Sequence, residues 1–576
     1  MVALNEGLGT ISRVNLDNGK VQETYVGETP FRVARLDRDT VVVSLKSEGT
    51  IAVLTDDGKQ LTLKEKVPVG AEPSGIVSDG NGRIFVAMAT ENQVWELNKQ
   101  LDVVDTFDAP NQPTWLALSP AGDRVFAAGL FGGAITQIDL DSGQSKTVEM
   151  PVMAGLEADH TELPVDLSAR ITGDISVSPD GDTMAVPVTY MDNVTPAGTD
   201  EDVTVSTGGY AGGAGSVGLA RVNPTIVTVD ISGPTPVPGD VYLLAGQVTS
   251  NARASEVVRG YVSSVTWHPD GTFVWATMEG SNAVQALLPS VRQVISDEHE
   301  DASYSSGEFV SGDRAIFATD AGPRGVAFTA EGDAFVHSFL DRNVTLLGDA
   351  NSVEVSSAKL SSDTLPDGIE EGRALFYAST GAVMSADGSG ISCATCHFLG
   401  RNDGLTWELE NGARQTPSLA GEVGHTGPFT WIDNVESVQH EAMHTSEERM
   451  GGAGLTQAEA DAIAAFVDFS PMPDLPEPDA AAVERGRSLF FSSSVGCAEC
   501  HNGADYSDQE SYEMFGLEAV NTPRLTGVAA TAPYLHDGSA PTLMDVLERV
   551  RDGEMGSTAD LSDDEMADLV AFLESL

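Results

Sequence analysis

The stretch PTWLALSPAGDRVFAAGLFGGAITQIDLDSG (residues 113–143) decides the fold of the first part of the chain. It contains short apolar runs that are separated by turns rich in Gly and Asp, so it predicts three strands joined by tight turns. Similar phrases begin at residues 30 and 73, and the three starts lie 43 and 40 residues apart. A period of about 40 residues built from short strands is typical of the blades of a β-propeller.

Further starts of the same phrase occur at residues 174, 264 and 323, with longer segments between them. Residues 8–28 have the pattern of the outer strands of one more blade. The prediction is therefore an all-β propeller of seven blades over residues 1–356, with six blades as the alternative. The phrases resemble the YVTN-type repeats of bacterial propellers, and this resemblance implies an architecture rather than an activity.

All four cysteines of the 576-residue chain lie in two copies of the motif Cys-x-x-Cys-His. The two copies consist of Cys393, Cys396 and His397, and of Cys497, Cys500 and His501. This motif attaches c-type haem, because the two thiols add to the porphyrin vinyl groups and the histidine binds iron. A redox dithiol does not need the histidine, and a structural zinc site would typically bring four cysteines or a distant histidine pair. Two covalently attached haems are therefore predicted, with zinc or a disulfide as the alternatives.

The haem motifs also predict where the protein works. Thioethers are formed on the outer face of the cytoplasmic membrane, usually in a bacterial periplasm. The opening MVALNEGLGTISRV lacks the basic and apolar regions of an export signal, so we expect this signal to be absent from the chain. No run approaches 18 apolar residues, so no membrane span is predicted. With 87 acidic and 31 basic residues, the net charge of −56 argues against nucleic acid as a partner.

After residue 356 the pattern changes from strands to helices, and it occurs twice. Gly372 and Phe376 precede the first haem motif with the same spacing that Gly486 and Phe490 show before the second. Each copy closes with a Thr/Ser-x-x-Glu capping box, which begins a helix. The prediction is an all-α diheme cytochrome c region of two lobes, residues 357–472 and 473–576.

The second lobe contains TPRLTGVAATAPYLHDGSAPTLMDVLERV (522–550). Together with the two Cys-x-x-Cys-His motifs, this phrase makes residues 357–576 similar to the diheme cytochrome c peroxidase and MauG family. The resemblance implies that the first haem meets peroxide, that the second passes electrons, and that a tryptophan lies between them. GPFTWIDN (427–434) resembles the inter-haem phrase of the family and places this tryptophan at Trp431, with a core aromatic side chain as the alternative.

The catalytic glutamate of the family directly precedes a methionine, but Arg449 occupies that place here, beside Glu447 and Glu448. Either glutamate could act on peroxide as a general acid or base, or both could lie on a solvated helix. Resting bacterial peroxidases often hold the first iron with a further histidine. No histidine lies between His397 and Arg414, so the resemblance implies that the first iron is open. His425, His440 and His444 are the remaining candidates nearby, and the alternative for each is an ordinary surface or core residue.

The resemblance also suggests sixth ligands. Met555 stands 22 residues after Pro533 and is followed by Gly, as the ligand methionine of the family is. It is therefore the expected sixth ligand of the second haem, although plain counting would bring Val550 to this place and Met555 could be an ordinary apolar side chain. Met450 has the same spacing from Pro428, and we expect it not to bind iron.

The family has a calcium ion between its haems. It uses an Asn where this chain has Gln415, whereas Thr531 and Pro533 match the family. The resemblance therefore leaves calcium open.

The sequence thus predicts a periplasmic diheme oxidoreductase of the peroxidase type that exchanges electrons with a small redox protein. Peroxide or a protein is the expected substrate, and the propeller is expected to bind a partner or substrate. The alternatives are an electron-transfer protein without catalysis and a MauG-like oxidase that acts on a partner protein.

Overall fold

The structure is a computed structural model. It describes the chain except for residues 17, 155–165, 195–221, 245, 248–256, 259, 295–308, 330, 348–355, 382, 387–388, 410–411, 433–434, 476 and 554.

The chain divides into two compact units. The first comprises Met1–Pro366, Tyr377–Thr395 and Glu448–Ala453, and the second comprises Asp367–Phe376, Cys396–Glu447 and Gly454–Leu576. Two later segments of the chain, Tyr377–Thr395 and Glu448–Ala453, therefore belong to the first unit. The domain boundaries after residues 356 and 472 stay predictions.

The first unit contains a β-propeller that has seven blades within the described residues, so the prediction of seven is confirmed. The first blade has three antiparallel strands, and the next three blades have four each. Their strands are β1 (Val2–Asn5), β2 (Thr10–Val14), β3 (Val21–Tyr25), β4 (Pro30–Asp37), β5 (Thr40–Leu45), β6 (Thr50–Asp56), β7 (Leu61–Pro68), β8 (Pro73–Ser78), β9 (Ile84–Met88), β10 (Gln93–Leu97), β11 (Val103–Asp108), β12 (Pro113–Leu118), β13 (Arg124–Gly129), β14 (Ala134–Asp139) and β15 (Gln144–Glu149).

The last three blades are less regular. Their strands are β16 (Met153–Ala154), β17 (Asp166–Ile171), β18 (Ser176–Val177), β19 (Thr183–Met191), β20 (Val222–Asp230), β21 (Val237–Leu243), β22 (Gly246–Gln247), β23 (Val257–Val258), β24 (Val262–Trp267), β25 (Val274–Met278), β26 (Ala283–Val294), β27 (Phe309–Ala318), β28 (Pro323–Phe328), β29 (Ala334–Ser338), β30 (Asn343–Leu347) and β31 (Ser356–Lys359). The fifth and sixth blades form one sheet, because β21 and β27 pair in parallel.

Burial decreases toward the outer strand of a blade. In the third blade, β9 (IFVAM) is buried at all five positions, whereas β11 (VVDTFD) is exposed at five of its six. Neighbouring blades pack through apolar side chains, as Phe85 and Val94 of the third blade do with Leu116 and Val125 of the fourth. This stacking buries strands that are too short to form a stable sheet alone.

The C-terminal part of the chain is helical. Its helices are α1 (Ile369–Tyr377), α2 (Cys393–Cys396), α3 (Val438–His444), α4 (Gln457–Phe469), α5 (Ala480–Phe490), α6 (Leu543–Arg549) and α7 (Asp563–Glu574). Over the described ranges, none of the helices has the length and apolar character that crossing a membrane requires.

Two short hairpins interrupt the helical region. They pair β32 (Thr406–Leu409) with β33 (Gly412–Gln415), and β34 (Ser511–Met514) with β35 (Leu517–Asn521). The predicted all-α pattern did not include them. Gly412 and Gly516 have positive φ angles of 94° and 76°, and glycine adopts this turn conformation without steric cost.

Two glycines allow helices to cross in direct backbone contact, one in each half of the second unit. A Cβ atom on Gly372 of α1 would lie 1.9 Å from the carbonyl oxygen of Ala462 in α4. A Cβ atom on Gly486 of α5 would lie 1.9 Å from the carbonyl oxygen of Asp568 in α7. No side chain fits at this distance, so the glycine of the repeated Gly-x-x-x-Phe phrase is required for packing.

The phenylalanine of the phrase packs at the same crossings. The ring centroids of Phe376 and Phe466 lie 5.2 Å apart, and those of Phe490 and Phe572 lie 5.1 Å apart. The predicted capping boxes are present at the starts of α4 and α7, where they pair Thr456 with Glu459 and Ser562 with Glu565. The two halves of the second unit therefore repeat one helix crossing, as the sequence duplication predicts.

Candidate haem centres

The second Cys-x-x-Cys-His motif follows α5 and begins with a 3₁₀ turn over Cys497–Glu499. His501 is 8% exposed, and its Nδ1 lies 3.0 Å from the carbonyl oxygen of Tyr506. A ring N–H at Nδ1 donates to this carbonyl, which leaves Nε2 as the metal-binding nitrogen. Burial also lowers the pKa of His501 below its ordinary value, so the imidazole is in the neutral form that binds iron.

The first motif begins with the short helix α2, which contains Cys393 and Cys396. Ser392 precedes it, and the Ser392 amide donates to the Thr395 hydroxyl oxygen at 3.0 Å. Thr395 in turn donates its amide hydrogen to the Ser392 carbonyl at 3.0 Å. These two reciprocal bonds fix the turn that spaces the two cysteines.

Two of the cysteine thiols do not have the lowered pKa of a redox dithiol. Burial raises the pKa of the Cys393 thiol to about 12 and that of Cys497 to about 11, whereas a reactive dithiol needs a lowered pKa. None of the four cysteines, all of which the structure describes, forms a disulfide. Within the part of the chain that the structure describes, no group of three or more His, Cys, Asp and Glu side chains could hold a metal ion. Paired thiols beside a histidine are the donor set of c-type haem, so these residues fit it.

Trp431 lies where the two halves of the second unit meet. Its indole nitrogen donates to the carbonyl oxygen of Gln415 at 2.8 Å. Its own carbonyl accepts a hydrogen bond of 2.9 Å from the amide of Asn521. The Asn521 side chain also donates to the carbonyl of Thr430. Trp431 is half-buried. Its hydrogen bonds connect it to Gln415 in the first half and to Asn521 in the second half of the second unit.

The expected calcium ligands face hydrogen-bond donors. The amide nitrogen of the Gln415 side chain donates to the carbonyl of Thr531 at 3.4 Å, and the Asn402 side chain donates to Thr531 and Ala532 at 3.3 and 2.8 Å. Calcium instead binds six to eight oxygen atoms. The Gln415 and Asn402 side chains therefore present N–H groups to the Thr531 carbonyl. Calcium stays a prediction from the resemblance.

Glu447 and Glu448, the expected acid–base residues, lie in a π-helical turn over Thr445–Arg449 that directly follows α3. Both side chains are exposed, whereas Ser446 beside them is buried. Exposure to solvent would allow a glutamate to exchange protons as an acid–base group. The same exposure is expected if both glutamates simply lie on a solvated helix. The catalytic roles of the two glutamates stay predictions.

Met450 and Met555 occupy corresponding places. The carbonyl of Met450 accepts a 2.8 Å hydrogen bond from the amide of Ala386, seven residues before Cys393. Ser557, two residues after Met555, donates its amide hydrogen to the carbonyl of Val495 at 2.8 Å. Each methionine segment therefore pairs with the chain that leads into a haem motif. Met450 is 3% exposed, whereas Met555 is half-buried.

The sequence did not predict the roles of two residues at these centres, Tyr506 and Asn521. Tyr506 acts through its backbone carbonyl, which any residue possesses. Asn521 begins the NTPRLTGV phrase that follows the second motif, so the repeat pointed to its position but not to its contact with Trp431.

Comparisons with known proteins found relatives of the C-terminal region. Residues 520–552 match the family model described as RoxA-like, cytochrome c-like. The chain is 28% identical over 283 residues to the methylamine utilization protein MauG of Methylorubrum extorquens, covering 37% of this chain and 78% of that protein.

Two further relatives have similar identities. The hydrazine synthase subunit gamma of Kuenenia stuttgartiensis is 26% identical over 264 residues, covering 34% of this chain and 74% of that subunit. The cytochrome c peroxidase Ccp of Escherichia coli is 25% identical over 264 residues, covering 34% of this chain and 55% of that protein. The C-terminal region is therefore similar to a cytochrome c-like family model, to MauG and to a cytochrome c peroxidase, and these similarities support covalently bound haem.

Proposed function

We propose that the protein is a periplasmic diheme oxidoreductase that reduces peroxide with electrons from a small redox protein, and that its propeller binds a partner or substrate. The observation that carries the proposal is the position of Trp431 between two halves that each contain a complete haem-attachment motif. An electron carrier with one haem would need neither a second haem-attachment motif nor a hydrogen-bonded tryptophan between the two halves.

The haem-binding residues would be Cys393, Cys396 and His397 for the first haem, and Cys497, Cys500, His501 and Met555 for the second. When bound, the two haems supply one-electron chemistry and an iron site for peroxide. The Tyr506 carbonyl orients His501 so that Nε2 faces its ligand position. Met555 would complete a His/Met pair, which raises a haem potential as an electron-input site requires.

Trp431 would relay electrons, since hydrogen bonds at its indole nitrogen and at its carbonyl hold the ring in one orientation. Glu447 or Glu448 would move a proton between the oxygen atoms of peroxide. General acid–base catalysis contributes roughly 10²- to 10⁴-fold. Glu447→Gln or Glu448→Gln should therefore slow peroxide reduction roughly a hundredfold or more, if that residue is the acid–base group.

The test is the oxidation of a reduced small cytochrome c by hydrogen peroxide in the presence of the purified holoprotein. Steady donor oxidation supports the proposal. An electron carrier would show no peroxide-dependent turnover, and this result would overturn it. Trp431→Phe should lower the rate of donor oxidation while both haems are retained. Trp407→Phe is the matched control, because its indole nitrogen also makes a hydrogen bond, to Asp403 at 2.9 Å, within the first half alone.

A MauG-like oxidase is the second candidate, and the 28% identity to MauG favours it. Such an oxidase would turn over peroxide repeatedly only when its protein substrate is present. In the same assay it would give a stable oxidised spectrum with peroxide, without turnover of the small donor.

A further inference from the structure

Arg170 is a propeller residue that contacts a haem motif. It lies in β17 of the fifth blade and is fully buried. Its Nη1 donates a hydrogen bond of 3.0 Å to the carbonyl oxygen of Thr395. Thr395 stands directly before Cys396, and both Arg170 and Thr395 belong to the first compact unit. The propeller therefore places an arginine on the backbone of the first Cys-x-x-Cys-His motif.

The same unit holds the other end of this segment. The amide of Ser379 donates to the carbonyl of Gly280 at 2.9 Å, and the Ser379 and Ser281 hydroxyl groups lie 3.1 Å apart. A Cβ atom on Gly280 would lie 2.5 Å from the Ser379 hydroxyl oxygen, so the contact requires glycine. The ring of Tyr377 packs edge-on against Phe339 of the seventh blade, with centroids 5.0 Å apart.

Residues 377–395 are thus attached to the propeller at both ends, by the turn after β25 and the chain after β29 at one end and by β17 at the other. This attachment joins the segment that contains Cys393 to strands and turns of the propeller. The second motif differs from the first at the residue that Arg170 contacts. Its residue at the place of Thr395 is Glu499, which is exposed and acidic.

We propose that the propeller scaffolds the first haem-attachment motif and that Arg170 is its positioning residue. The guanidinium fixes the Thr395 carbonyl, and it brings a permanent positive charge to the haem that Cys393 and Cys396 carry. Arginine stays protonated in proteins. Because a reduced haem has one electron more than an oxidised haem, a nearby cation favours the reduced form and raises the reduction potential. The inference rests on the proposed function only in that a haem is attached at this motif.

The experiment is a spectroelectrochemical titration of both haems in the full-length holoprotein. Arg170→Gln removes the charge but retains a donor for Thr395, and it should shift the midpoint potential of one haem to a lower value and leave the other unchanged. Arg170→Lys retains the charge and should keep the potential near that of the parent. Equal potentials in the parent and the Gln variant would overturn the proposal.

Arg124→Gln is the matched control. Arg124 lies in β13, and its Nη1 donates to the carbonyl of Ile231 within the propeller. This variant removes the same charge from the propeller without touching a haem motif, so both potentials should stay at the parent values. A shift of the same size in this control would show a general charge effect and would overturn the assignment to Arg170.

If Arg170→Gln yields no folded protein, hydrogen exchange of the Lys variant provides the test. Peptides that contain residues 393–397 should exchange faster than in the parent, and peptides that contain 497–501 should not change. Unchanged exchange at both motifs would overturn the proposal. If the protein shows these shifts but no peroxide turnover, only the proposed function is contradicted. If mass spectrometry shows that the first haem is absent, both the proposed function and the role of Arg170 are contradicted.

Discussion

The two haem motifs share the pattern Cys-Ala-x-Cys-His, but their surroundings differ. In the first, Thr395 is buried and its carbonyl accepts a hydrogen bond from Arg170 of the propeller. In the second, Glu499 is exposed, and the fixed element is His501, which the Tyr506 carbonyl orients. The difference teaches that a duplicated attachment motif can acquire two electrostatic environments without any change in its binding residues.

The largest expected effect is the loss of a haem. The double substitution Cys393→Ser with Cys396→Ser should remove one haem, and Cys497→Ser with Cys500→Ser should remove the other. Denaturing mass spectrometry should show two haems on the parent and one on each variant. Bound zinc, or a parent mass equal to that of the bare chain, would contradict haem attachment at both motifs.

Substitution of the two methionines distinguishes the sixth ligands of the haems. We expect one high-spin ferric haem in the oxidised parent, and Met555→Ala should convert the other haem to high spin. Met450→Ala should leave the spectrum unchanged, because the first iron is expected to be open. Electron paramagnetic resonance checks both expectations. Two low-spin haems in the parent, one of which opens in Met450→Ala, would reverse the assignment and favour the electron carrier.

The helix crossings should respond alike in the two halves. Gly372→Ala and Gly486→Ala each place a Cβ atom 1.9 Å from a carbonyl oxygen, so each should lower the free energy of unfolding by about 3 kcal/mol or more. Urea unfolding followed by circular dichroism measures this loss. The control is Gly325→Ala, since a Cβ atom there has open space; it should change the free energy by less than about 1 kcal/mol. A tolerated Gly486→Ala would contradict the crossing in the second half.

The smallest expected effect concerns the propeller that supports the first motif. Burial, with the nearby Arg324 guanidinium, lowers the pKa of His337 to about 4. The unfolded chain, with its ordinary histidine pKa of about 6.5, therefore takes up a proton first as the pH falls. Stability should decrease by roughly 2 to 3 kcal/mol between pH 6.5 and pH 4 through this group.

His337→Gln should abolish this part of the pH dependence, because glutamine does not titrate. The measurement compares the unfolding free energies of parent and variant at pH 7 and near pH 4. A difference between the two proteins that is independent of pH would show that folding does not lower the pKa of His337.

The sequence predicted those features that depend on side-chain identity and local spacing. The propeller repeat, the two haem motifs and the capping boxes at Thr456 and Ser562 are of this kind, and the structure contains the repeat and the capping boxes. The sequence showed that the Gly-x-x-x-Phe phrase is repeated but not why. The structure explains the repeat, because helices cross in backbone contact at Gly372 and Gly486.

Other features could not be predicted, because they depend on distant contacts or on the backbone. Arg170 stands 225 residues before Thr395, so no local pattern connects them. The orientation of His501 depends on a carbonyl group, which carries no mark in the sequence. The hairpin that ends at Gln415 was also missed, since two strands of four residues leave little periodicity to detect.

The two later segments of the first unit have a consequence for dividing this protein into fragments. If the two units were modules that recombination had merely joined, a cut after residue 356 would separate them cleanly. Instead, Tyr377–Thr395 and Glu448–Ala453 belong to the first unit although the segments around them belong to the second. A fragment that ends at residue 356 would therefore lack two segments of its own compact unit.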